Sequence, residues 1–140
     1  MEKIEYIIYT DGAYSSCRNQ GGIGFLILNT DNKIVGECSK TFFNTTNNRM
    51  ELIAVLTAIK SIKKATKVTI YSDSQYVIGC ATLGWKRTKN QDLWEQYDKL
   101  INSINYPISF VHVKGHKDNK FNNQCDRLAV MASTKECRVG

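Results

Sequence analysis

The chain has 140 residues, 42% of them hydrophobic and 23% charged, the balance of an ordinary globular domain long enough to bury a core. Its apolar runs are short and interrupted, which excludes a membrane span, and the opening "MEKIEYIIY" lacks the basic start, long apolar stretch and small-residue cleavage site of a secretory signal, so a cytoplasmic product is expected. The net charge of +6 suits a polyanionic partner without requiring one.

Residues 3–11 alternate as a strand, and residues 22–30, "GIGFLILNT", read as a second. "DNK" turns the chain into a third strand over 33–43, so the three form an antiparallel meander. "NTTNN" at 44–48 is rich in helix-capping residues, and the helix after it carries an apolar stripe at Leu52, Val55, Leu56, Ile59 and Ile62. Lys60, Lys63 and Lys64 near its end complement the helix dipole. "KVTIYSD" at 67–73 is a fourth strand, followed by a short helix over about 74–82. A loop at 83–91 leads to an amphipathic helix, 92–104, with Leu93, Tyr97, Leu100, Ile101 and Ile104 inward. The single proline, Pro107, opens a fifth strand, 107–113, at the position where a strand tolerates it. A loop at 114–121 precedes a last helix, 122–133.

The order β-β-β-α-β-α-α-β-α predicts an α/β fold: one five-stranded mixed sheet, three antiparallel strands and then parallel ones, flanked by helices. With no linker, repeat or low-complexity tract, residues 1–140 are expected to form a single domain. The five cysteines, Cys17, Cys38, Cys80, Cys125 and Cys137, are widely spaced and the only histidines are His112 and His116, so a structural zinc site is not expected and the thiols are read as reduced.

Two strands finish alike. "IIYTDG" and "TIYSDS" are each an apolar run, a hydroxyl residue and an aspartate. In an open α/β sheet, ligands sit beyond the carboxyl ends of the strands. If the first and fourth strands are parallel neighbours, Asp11 and Asp73 finish side by side, and two such carboxylates repel unless a cation lies between them. Glu51 borders the buried stripe of the first long helix. Asp126 borders the stripe Cys125, Leu128, Ala129 and Ala132 of the last. Taken singly, each acid has a plainer reading: Asp11 as a turn residue, Glu51 as a first-turn acid, Asp73 as a helix cap, Asp126 as surface. All four, however, can reach one end of one sheet.

The segments "YTDGA", "TTNNRMEL", "YSDSQYV", "DLWEQ", "VKGH" and "QCDRLA" occur in order from residue 4 to about 133, and with them the chain resembles a type 1 ribonuclease H. The resemblance implies a metal-dependent endoribonuclease that hydrolyses the RNA strand of an RNA–DNA hybrid, leaving 5′-phosphate and 3′-hydroxyl ends. It implies two Mg²⁺ ions, about 3.5–4 Å apart, with Mn²⁺ as a substitute. Asp11 is then expected to bridge both ions, with Glu51, Asp73 and Asp126 as outer ligands. His116, beside the possible hinge Gly115, would assist proton transfer or product release, whereas His112 is assigned to structure.

The same resemblance places Asn47, Asn48 and Gln75 in the minor groove, where amides can read the 2′-hydroxyl. Asn47 or Asn48 also reads as a helix cap. Thr46 and Asn90 match positions that grip a DNA-strand phosphate. Trp85 matches a residue on the DNA sugar–phosphate track, with packing as the nearly matching alternative. Lys86, Arg87 and Lys89 would add phosphate attraction. Two departures stand out. Only "GWKRTKNQ" remains where many cellular relatives carry a basic helix and loop, and Cys17 stands where relatives often have asparagine, with Asn19 not obviously placed to replace it. A monomer is the simplest expectation, with no membrane partner. Two other readings stay open: a DNA nuclease or resolvase on a similar sheet, and a non-catalytic nucleic-acid-binding module, the latter requiring loss of an acid that this chain retains.

Overall fold

The computed structural model describes residues 2–114 and 119–135. Within them the chain runs β1 (Glu5–Ser15), β2 (Gln20–Leu28), β3 (Ile34–Phe43), α1 (Asn47–Ser61), β4 (Lys67–Ser72), α2 (Gln75–Thr82), α3 (Gln91–Ser103), β5 (Ile108–His112) and α4 (Lys120–Thr134). The strands lie in the order β3-β2-β1-β4-β5. β1, β2 and β3 pair antiparallel, and β4 joins β1 and β5 in parallel. The fold class and element order expected from the sequence are those observed.

The strand ends differ from expectation for local reasons. β1 does not stop at Asp11 but continues to Ser15, because Gly12–Ser15 pair with Gln20–Ile23 of the returning strand. Ladder pairing here overrides the poor strand propensity of Asp and Gly. β2 ends at Leu28 because the Asn29 side chain starts the turn early, accepting from the N–H groups of Asp31 and Lys33 at 3.0 Å each. Thr46, outside the expected pair Asn47 and Asn48, caps α1 by accepting from the Arg49 N–H at 3.2 Å. α1 ends at Ser61, so of the three lysines only Lys60 lies in its last turn.

β2 is buried along its whole length, with helices on both faces of the sheet. Ile23 meets Met50 and Ala54 of α1. Its neighbours Gly22 and Gly24 point the other way, and a Cβ on Gly24 would stand 2.6 Å from the Cys125 carbonyl of α4. These glycines let α4 lie directly on the sheet, which brings Asp126 to the end of β1. On the α1 face a larger core gathers Ile8, Leu52, Val55, Ile59, Val68, Ile70, Val77 and Leu93. Full burial of each such side chain contributes about 1.5–3 kcal/mol. Trp94, missing from the expected inward set of α3, is fully buried in this core, whereas Leu100, Ile101 and Ile104 only border it.

Candidate active site

The last rung of the β1–β4 ladder is Thr10 against Ser72. The next residue on each strand is an aspartate, so Asp11 and Asp73 emerge side by side where the parallel pairing stops. Asp11 stays fixed because the other edge of β1 is still paired there, with Gly24 of β2. The capping alternative for Asp73 fails: Ser74 caps α2, its Oγ accepting from the Val77 N–H at 3.2 Å, which leaves the Asp73 carboxylate to the site.

Glu51 enters from α1. The Gly12 N–H donates to Glu51 Oε1 and to Asp11 Oδ1, both at 2.9 Å. Asp11, Glu51 and Asp73 each offer a carboxylate oxygen within 4.8 Å of the others, the only such cluster of possible metal ligands among the described residues. Glu51 is 5% exposed, and its Oε2 is buried without a hydrogen-bond partner. A buried carboxylate oxygen without a partner costs free energy unless a proton or a cation meets it. The site therefore fits divalent metal, and hard oxygen donors without thiolate suit Mg²⁺ or Mn²⁺. Asp126 lies on exposed α4 surface and lines the same concavity, outside the tight trio.

The electrostatics agree. Burial, then the charge of Glu51, holds the Asp11 carboxyl far above the usual carboxylate range. Burial likewise raises Glu51, against hydrogen bonding from Asp11 and the Gly12 N–H, and the negative charge of Asp73 and Asp126 adds to the rise. Burial raises Asp73 as well, and proximity to Asp126 reinforces it. His112 pairs with Ser72 across β5 and β4, and its charge tends to lower Asp73.

Asn47, Asn48, Gln75 and Tyr76 line the wall around the acids. Thr46 and Asn90 come together through Arg49, whose main-chain N–H donates to Thr46 Oγ1 and whose Nη1 donates to Asn90 Oδ1 at 3.2 Å. Trp85 is 48% exposed and packs over Gly79, so the packing role holds and an open surface remains. Lys86 and Lys89 are exposed. Arg87 is not free for phosphate: it donates to Asp98 at 2.8 Å and to the Cys80 carbonyl at 3.2 Å, and lies 4.5 Å over the Trp94 ring. Asn19 holds the hairpin tip, bonded to Tyr14 and Asn44, beside exposed Cys17. His116 lies outside the described residues. Arg49 and Tyr76, which stand inside "TTNNRMEL" and "YSDSQYV", also belong to this surface: Arg49 reaches Asn90, and Tyr76 lines the concavity.

The profile of the family described as RNase H matches residues 3–134. A protein named Ribonuclease H from Thermoanaerobacter sp. (strain X514) is 42% identical over 136 residues, covering 87% of this chain and 85% of that protein. Among solved structures, RNase H1 from the halophilic archaeon Halobacterium salinarum NRC-1 is 26% identical with a TM-score of 0.77, covering 91% of this chain and 96% of that one. The structure of LC11-RNase H1 in complex with an RNA/DNA hybrid is 25% identical, also with a TM-score of 0.77, covering 91% of this chain and 95% of that one. With the match running through every element that builds the acidic cluster, the chain belongs to the RNase H family.

Proposed function

We propose that the protein is an endoribonuclease that hydrolyses the RNA strand of RNA–DNA hybrids by a two-metal-ion mechanism. The observation that carries this reading is the trio Asp11, Glu51 and Asp73, whose carboxylates gather within 4.8 Å, one of them Glu51 with its Oε2 buried and unpartnered. Asp11, Glu51, Asp73 and Asp126 would hold two Mg²⁺ or Mn²⁺ ions, which when bound neutralise the phosphodiester, acidify a water and stabilise the leaving 3′-oxygen.

The chain's own groups do the rest. The Gly12 N–H orients Asp11 and Glu51 toward each other. Asn47, Asn48 and Gln75, along the wall of the acidic concavity, hydrogen-bond in the minor groove and read the 2′-hydroxyl. Thr46 and Asn90 hold a DNA-strand phosphate, and the open face of Trp85 lies along the DNA strand. His116 assists proton transfer or product release. The whole works as one domain, as a monomer in the cytoplasm. The likeness to an RNase H1 solved with an RNA/DNA hybrid supports the choice of substrate.

The test is a labelled hybrid with Mg²⁺, run beside duplex RNA and duplex DNA and repeated with Asp73→Asn. Cleavage of the hybrid's RNA strand alone, lost in the variant, is the expected result. Cleavage of duplex DNA, or no cleavage of the hybrid, rejects it.

A further inference from the structure

The turn that enters α3 departs from the usual N-cap arrangement. Asn90 occupies the N-cap with φ 60° and ψ 34°, left-handed backbone that asparagine adopts more readily than other side chains but that differs from the extended backbone usual at an N-cap. An asparagine at an N-cap ordinarily turns its carbonyl onto the N–H groups of the first turn. This one makes no such bond. Instead its Oδ1 accepts from Arg49 at 3.2 Å and its Nδ2 donates to the Tyr76 hydroxyl at 3.0 Å. The same hydroxyl accepts from the indole Nε1 of Trp94 at 2.9 Å and directs its proton to the Lys89 carbonyl, 3.5 Å away.

Donor chemistry determines which way the amide points. Guanidinium and indole N–H groups only donate. Arg49 therefore requires the Asn90 carbonyl, and Trp94 requires the Tyr76 oxygen as acceptor. With the Tyr76 proton on Lys89, Asn90 can meet that oxygen only through Nδ2. One amide N–H is consumed and the second remains to bind an acceptor. Asp92 holds the outer edge of Arg49 at 2.8 and 3.0 Å, so the guanidinium is fixed as well.

We propose that the Tyr76 hydroxyl is a positioning group for the phosphate contact: it locks the Asn90 amide so that the spare N–H faces a phosphate of the DNA strand, and Trp94 in turn locks Tyr76. This rests on the hybrid-binding reading above and deepens it. Tyr76 acts through Asn90, and its hydroxyl does not itself bind the phosphate.

The test uses the full chain, an RNA–DNA hybrid and Mg²⁺. Tyr76→Phe removes one oxygen. KM should rise about three- to ten-fold, the range of one hydrogen bond, with kcat within about two-fold. In an Asn90→Ala background the same change should leave KM where it is. Hybrids with a single neutral methylphosphonate stepped along the DNA strand give a second readout. The position at which neutralisation weakens the parent most should weaken both Tyr76→Phe and Asn90→Ala less, leaving only the share that Thr46 carries. Additive effects on KM, or an unaltered methylphosphonate profile in Tyr76→Phe, overturn the proposal. Should Tyr76→Phe fail to fold, the parent decides: its Asn90 side-chain amide protons should show nuclear Overhauser contacts to the Tyr76 ring, and their absence overturns it. A parent that neither binds nor cleaves any hybrid overturns the functional reading along with it, whereas a competent parent with additive variants overturns only the role of Tyr76.

Discussion

The main-chain N–H of Gly12 donates to Glu51 Oε1 at 2.9 Å, tying the strand that carries Asp11 to the helix that carries Glu51. That contact exists because residue 12 has no side chain. A Cβ there would overlap the main chain of Met50 and Glu51, lying 2.9 Å from the Glu51 Cα. Backbone cannot swing aside as a side chain can. Gly12→Ala should push α1 off the sheet, cost about 2–3 kcal/mol of stability and remove most of the activity. Chemical denaturation and a hybrid-cleavage assay check both. A variant with parental stability and turnover would show that the close approach of α1 is dispensable.

The acids make stability depend on pH and metal together. Asp11, Glu51 and Asp73 all titrate above their ordinary values, with burial as the leading cause. An acid whose pKa is raised on folding favours the folded state while it is protonated. Its contribution is fully present below the unfolded value, about pH 4, and is lost as pH climbs through the raised folded values. The metal-free protein should therefore lose stability from this cluster as pH rises past 4 toward and beyond neutrality. Mg²⁺ should restore it increasingly at higher pH and release protons as it binds. Calorimetric titration in two buffers of different ionisation enthalpy measures the released protons. A Tm shift by Mg²⁺ that is the same at pH 5 and pH 8 would contradict the cluster's role.

Much of this was legible because the informative patterns are local. The repeat of a hydroxyl residue and aspartate in "YTD" and "YSD" marks one rung of the sheet, since β1 and β4 are parallel and end their pairing together at Thr10 and Ser72. Helical periodicity likewise put Glu51 beside the buried face of α1. What local pattern cannot carry is pairing over distance. Asp11 looked like a strand end, yet β2 holds β1 together through Ser15. Arg87 looked like one more phosphate-seeking cation because Trp94 and Asp98, which engage it, sit on the next helix. The union of Arg49, Asn90 and Tyr76 draws on α1, α2 and the turn before α3, and no spacing in the chain announces it.

Arg87 and its neighbours offer a clean separation between packing and substrate binding. Arg87→Ala should lower stability by about 1–2 kcal/mol through lost stacking on Trp94 and Tyr97. It should leave the salt dependence of hybrid binding unchanged. Lys86→Ala and Lys89→Ala, at exposed positions, should leave Tm nearly constant. Each should flatten the dependence of log K on log salt by about one contact. Binding isotherms at four salt concentrations, beside thermal melts, read both quantities. The reverse pattern would return Arg87 to the substrate surface.

Asp73 and Asp126 should differ in how much the reaction needs them. Asp73 is partly buried and belongs to the trio within 4.8 Å, where its charge is held against those of Asp11 and Glu51. Asp126 is exposed and stands outside that trio, where solvent can supply an oxygen in its place. Asp73→Asn removes a charge that no water replaces, and kcat should fall at least about a thousand-fold, on the scale of losing several kcal/mol of transition-state stabilisation. Asp126→Asn keeps an oxygen donor at the rim, so its kcat should fall by no more than about a hundred-fold. Raising Mg²⁺ or replacing it with Mn²⁺ should recover part of that loss, with no such recovery for Asp73→Asn. Single-turnover cleavage across a metal titration separates the two, and equal, unrecoverable losses would place Asp126 on the same footing as the buried trio.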